Sequence, residues 1–184
     1  MTETQTTENP FKEEWEKHPM RKPRIGAVII NVSIGQSGEP LERAKTIIRQ
    51  LTNREPIETI AKQTWRDFGI RKHQPVGCKV TVRGKDAEEL LDRLLEAKDR
   101  KLSHSSFDEY GNFGFGIREH IDIPGMKYDP NLGIIGMDVI VQMIRPGYRL
   151  RYRKIGKQKI PNKHKLTKEE SIAYIRDKFN IEIV

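Results

Sequence analysis

The sequence predicts an α+β fold: a mainly antiparallel sheet of about five strands with helices packed on one face, plus a basic C-terminal extension. Three observations carry that expectation. Residues 76–83 alternate Val76, Cys78, Val80 and Val82 with Lys79, Thr81 and Arg83, the period of a strand buried on one side only. Residues 25–34 repeat the pattern, with Val28, Ile30, Val32 and Ile34 on one parity and Ala27, Ile29, Asn31 and Ser33 on the other. Leu41, Ala44, Ile48 and Leu51, and later Leu90, Leu91, Leu94 and Leu95, recur at helical spacing. At 184 residues the chain suits one domain, read as a flexible N-terminal segment (1–20), a core (21–145) and a basic extension with a helix (146–184).

Taken in order, residues 1–10 read as disordered, and Phe11 to His18 as a short helix with Phe11 and Trp15 on one side, ending before Pro19. After the first strand, Gly35 to Gly38 break the chain, and a helix follows from about Glu39 to Asn53, its Glu42, Arg43, Lys45 and Arg49 left to water. Pro56 to Ile60 form a short strand. The loop beyond it turns at Gly69, Pro75 and Gly77. Gly84 ends the 76–83 strand, and Asp86, with Glu89 three residues on, reads as the N-cap of the Leu-rich helix. Phe113, Phe115 and Ile117 alternate with Gly114 and Gly116, a strand whose bare side admits a close approach. Residues 138–144 read as a last central strand, Thr167 to Glu170 as the cap of a helix carrying Ile172, Ile175 and Phe179, and Ile181 and Ile183 as an edge strand.

Charge is placed unevenly. The net charge is +8, yet residues 62–85 hold seven cations and one acid, and residues 145–168 hold ten cations and no acid. Such concentrated fields attract phosphate backbones, and without a long apolar stretch they point to nucleic acid and away from a membrane. In the first block Arg66, Arg71, Lys72 and His73 stand beside Trp65 and Phe68, whose rings are either displayed or tucked into the core. In the second, Tyr148 and Tyr152 lie among Arg149, Arg151, Arg153 and Lys154, a mixture of rings and cations suited to RNA.

Asn31, Ser33, Lys79, Thr81 and Arg83 share the polar parity of two strands and include no aromatic residue. That argues against a base-stacking sheet and favours a face that reads RNA shape through ribose and phosphate. An enzyme would have to draw on Cys78, His73, His104, Asp108 and His120, which have no triad or metal-ligand spacing, so neither a metal nor a cofactor is expected. An adaptor binding proteins through the acidic span 86–144 is the other alternative. The single cysteine excludes an internal disulfide, and the N-terminus has no secretory pattern, which predicts a cytoplasmic protein.

Several motifs occur in one order over residues 20–145: Pro23-Arg24-Ile25 with Val28 to Gly35, Pro56-Ile57 leading to Phe68, Ile70 and Arg71, Pro75 to Gly84, Asp108 with Gly111 to Phe113 and Gly116 to Glu119, Tyr128-Asp129, and Gly136-Met137-Asp138. In these the chain resembles the ribosomal protein family that holds 5S rRNA, number five among the universal large-subunit proteins, in its archaeal form. The resemblance implies a ribosome-associated protein of the central protuberance that binds 5S rRNA and large-subunit rRNA beside a neighbouring 5S-binding protein. It further implies a contact with the small-subunit head through small-subunit protein thirteen, and a loop around 65–74 near P-site tRNA. By position it adds Arg54 to the 5S-facing residues.

Overall fold

A computed structural model of the protein describes residues 10–184. Its frame is a five-stranded antiparallel sheet built from β1 (Arg24–Ser33), β2 (Ile57–Ile60), β3 (Pro75–Val82), β5 (Phe113–Ile117) and β6 (Met137–Ile144), in the order β2-β3-β1-β6-β5. The α+β class is as the periodicities predict. Val28, Ile30 and Val32 of β1, Cys78, Val80 and Val82 of β3, and Val139 and Val141 of β6 are buried on one face. Against that face lie α2 (Glu39–Thr52), through Leu41, Ala44, Ile48 and Leu51, and α3 (Lys85–Glu96), through Leu90, Leu91, Leu94 and Leu95. Each fully buried Leu or Ile removes enough apolar area from water to stabilise the fold by about 2 kcal/mol, so one sheet face and two helix stripes account for most of the core.

The C-terminal helix α4 (Lys168–Phe179) opens on the expected capping box, in which the Thr167 side chain accepts from the Glu170 N–H and the Glu170 carboxylate accepts from the Thr167 N–H. Tyr174, Ile175 and Phe179 enter the same core as the sheet, so this helix belongs to the domain, and the basic excursion is the stretch between β6 and α4. At the other end α1 (Lys12–Lys17) docks by Trp15, which stacks on Phe11 and meets Tyr174 edge-on. The disorder expected for residues 1–10 falls outside the described residues except at Pro10.

Several local expectations are corrected. Gly77 makes no turn; it sits inside β3 opposite Ser33 and Thr59, where a Cβ would lie 2.5 Å from the Val32 carbonyl oxygen. The N-cap of α3 is Gly84, with φ of 78°, and the Asp86 carboxylate instead pairs with Arg54 at 2.7 Å. Lys45 does not stay in water: it is 8% exposed and bridges Glu42 and Glu58, because β2 brings Glu58 over the side of α2. Both carboxylates hold its pKa above the usual lysine value. The final strand, β7 (Glu182–Ile183), pairs in parallel with β4 (Lys101–Leu102), apart from the main sheet.

Candidate nucleic-acid interface

The helices cover one face of the sheet, and strand alternation sends every second residue to the other. Register then decides which of these meet. Asn31, in the middle strand, lies between Lys79 of β3 and Asp138 of β6; one step along, Ile29 lies between Thr81 and Ile140. Beyond β6 the row continues over Gly116 and Gly114, which leave the floor bare beside Asp138 and Ile140. Ser33 stands at the end of β1 opposite Gly77, and Arg83 extends past the end of β3.

Asn31 and Thr81 are partly exposed, and Ser33, Lys79 and Arg83 fully so. Among the described residues nothing in the protein occupies the side chains of Asn31, Lys79, Thr81 or Arg83, so their hydrogen-bonding groups face solvent. Short, β-branched or amide side chains on a strand lose little entropy when they bind, and the strand holds them in place. Arg54 differs: its guanidinium is already paired with Asp86 at the rim. The pairing of β6 adds Asp138, Ile140 and Gln142 to this face, and β2 adds Ile57 and Thr59. Sequence reasoning missed these: the alternation of residues 137–144 gives the parity of Asp138, Ile140 and Gln142, but only the strand pairing sets them beside Asn31 and Ile29.

Next to the sheet, the loop from Ala61 to Gln74 is a built projection. Ala61 N–H donates to the Gln74 carbonyl at 2.9 Å, His73 N–H donates to the Ala61 carbonyl at 2.9 Å, and Trp65 and Ile70 form an antiparallel bridge. Gln74 ties it back to Ser37 through a side-chain bond of 3.0 Å. The turn Arg66–Phe68 closes at Gly69. Arg66, Arg71, Lys72 and His73 are all exposed, and so are both rings, Trp65 at 55% and Phe68 at 74%. The choice that sequence left open thus falls to display.

The second cationic block splits in two. Arg145 is buried and ion-paired with Glu170 while its other nitrogen donates to the carbonyls of His164 and Lys165, so it fastens the segment and does not face a ligand. Arg149, Arg151, Arg153 and Lys154 are exposed along the turn Tyr148–Arg151 and the loop after it.

The residues an enzyme would need are dispersed. Cys78 lies beneath the sheet with no exposure, and burial pushes its thiol up to about 11. His120 is buried, and desolvation lowers its pKa. Asp108 caps its own turn, accepting from the N–H groups of Tyr110 and Asn112. Among the described residues no group of His, Cys, Asp and Glu is placed to hold a metal, and no helix is long and apolar enough to cross a membrane. Three acids of the 86–144 span are ion-paired within the fold, Asp86 with Arg54, Glu88 with Lys178 and Asp92 with Arg100.

A chain with one dry sheet face, one open face carrying unpaired polar groups and two exposed cationic projections suits an anionic polymer as partner. The relatives place it more closely. The family described as "Ribosomal protein L5" matches residues 18–71, and the C-terminal region of the same ribosomal family matches residues 75–174. The large ribosomal subunit protein uL5 of Methanococcus maripaludis strain C6 is 50% identical over 177 residues, covering 95% of this chain and 98% of its own length. That of Methanococcus vannielii matches at the same identity and coverage. The chain belongs to the ribosomal protein L5 family. It is a structural, non-enzymatic constituent of the large ribosomal subunit, and it is cytoplasmic and ribosome-associated.

Proposed function

We propose that the open sheet face binds 5S rRNA and adjoining large-subunit rRNA in the central protuberance, with Asn31, Ser33, Lys79, Thr81 and Arg83 as the contact set and Arg54 at its edge. The observation that carries this reading is the group of unoccupied polar side chains centred on Asn31 and Thr81, held in register on the paired strands β1 and β3. Folded RNA presents ribose hydroxyls and phosphates at fixed spacings, and rigid short side chains favour the correct contour. Gly114 and Gly116 let a backbone come close at one side of that group.

The cationic projections act differently. Arg66, Arg71, Lys72 and His73, and the set Arg149, Arg151, Arg153 and Lys154, meet phosphates wherever these lie and supply grip more than choice. In the assembled ribosome the loop around 65–74 lies near the elbow of P-site tRNA. The protein also meets the small-subunit head through small-subunit protein thirteen and shares 5S rRNA with a neighbouring 5S-binding protein. Binding of isolated 5S rRNA to Thr81→Val and Asn31→Ala proteins tests the reading: each loses on the order of 1 kcal/mol or more of affinity if its RNA partner is left unpaired. Unchanged affinity in both would assign the RNA to another surface.

A further inference from the structure

We propose that a cavity between the Tyr110 turn and the segment after β6 takes one unstacked RNA nucleotide, its base against tyrosine rings and its phosphate on lysines. This rests on the chain's being an RNA-contacting protein, but it uses residues apart from the sheet-face contact set. The cavity measures about 650 Å³ and lies between Tyr110, Gln142 at the end of β6, and the run from Tyr148 to Lys165. A volume in this range suits a small ligand with a flat apolar body.

Its walls are set by local bonds. Tyr148 is fixed by its hydroxyl, which accepts from the Leu166 N–H at 2.8 Å, and its ring meets His164 edge-on. Tyr110 is placed by the Asp108 carboxylate, which accepts its N–H at 2.9 Å, and is 54% exposed. Tyr152 is 67% exposed with the Arg151 guanidinium 5.7 Å from its ring centre, and Lys165 Nζ lies 5.6 Å from the ring centre of Tyr110. The outer wall is closed by Gln158 N–H donating to the Leu150 carbonyl and Arg153 Nε donating to the Gly156 carbonyl.

Chemistry selects the occupant. Lys157, Lys159 and Lys165 line the cavity, and none of the described lining residues is acidic, which calls for an anion. An anion alone would leave three rings unused. A nucleotide uses both, since rings and guanidinium planes stack on any base while lysines meet the phosphate. Gln142, exposed beside the rings, presents an amide to the base edge.

The test compares a labelled short single-stranded RNA with an abasic chain of the same length and charge, each titrated with the full-length protein. Wild type is expected to prefer the base-bearing RNA by about tenfold, and the Tyr110→Ala, Tyr152→Ala double variant to lose that preference with abasic binding unchanged. Both tyrosines are exposed, so the variant's melting curve should match wild type. Tyr152→Phe, which keeps a ring, should keep the preference. The proposal is overturned if wild type binds both chains alike, if the double variant retains the preference, or if Trp65→Ala abolishes it instead. None of these outcomes alters the 5S rRNA affinities of the Thr81→Val and Asn31→Ala proteins, so the two readings fail separately.

Discussion

The open sheet face and the segment between β6 and α4 are both polar and both solvent-facing, yet they are made in opposite ways. On the sheet, five strands in register fix Asn31, Thr81 and Ser33 to a grid, over a floor of fully buried Val28, Ile30 and Val139. In the segment, Arg149, Arg151, Arg153 and Lys154 are long side chains on turns, fastened at the base by the buried Arg145–Glu170 ion pair and by the Leu166 N–H donated to the Tyr148 hydroxyl. The contrast teaches that position is supplied by the sheet and charge by the segment. RNA recognition needs both, because phosphate contacts give affinity while fixed groups give selection.

The largest expected effect breaks the segment's anchor. Glu170→Ala leaves Arg145 buried without its carboxylate and also removes half of the α4 capping box, so it should cost about 3–5 kcal/mol in urea unfolding. A loss below about 1 kcal/mol would show that the segment is held by other means. Replacing Arg149, Arg151, Arg153 and Lys154 together by Ala should spare stability, weaken binding to most RNAs alike, and flatten the salt slope by about 3 if each meets one phosphate. An unchanged slope would place those side chains away from RNA.

The sheet is probed from its dry side by pH. The Cys78 thiol, pushed up to about 11 from an ordinary 9.0 by burial, favours the fold while it remains protonated. That contribution is complete below pH 9 and is lost as pH rises through 11, an alkaline decline on the order of 2 kcal/mol. Cys78→Ala should show less of this decline in unfolding curves taken across that range; an identical decline would mean that the thiol is not its source. The smallest effect sharpens the contrast most. Thr81→Val should lower 5S rRNA affinity on the order of 1 kcal/mol with the salt slope unaltered, since it removes a hydroxyl and no charge.

Much of this architecture was legible in the residues. Period-two alternation gave β1 and β3 with the correct buried parity, and the Leu pattern gave α3, because these signals are local. What was missed came from pairing between distant segments. Lys45 looks like a wet-face cation on its own helix, and only the placement of Glu58 on β2 buries it. Arg145 looks like one more exposed cation until α4 brings Glu170 to it. Gly77 reads as a turn residue by type, whereas its strand position answers to the closeness of the Val32 carbonyl. The two-residue strands β4 and β7 are too short to carry any period. At the interface, Asn31 and Thr81 could be assigned by parity, but Asp138, Ile140 and Gln142 needed the β1–β6 register.

The central claim is that the open face, rather than the cationic arms, meets 5S rRNA. Cys78 is the single cysteine and is buried, so a Ser33→Cys protein carries one reactive exposed thiol. An iron chelate attached there and triggered to release hydroxyl radicals in the 5S rRNA complex should cut a compact set of 5S nucleotides. The same chelate on Lys154→Cys should give weaker, scattered cuts. Localised cleavage of 5S rRNA from position 154 with none from position 33 would contradict the account.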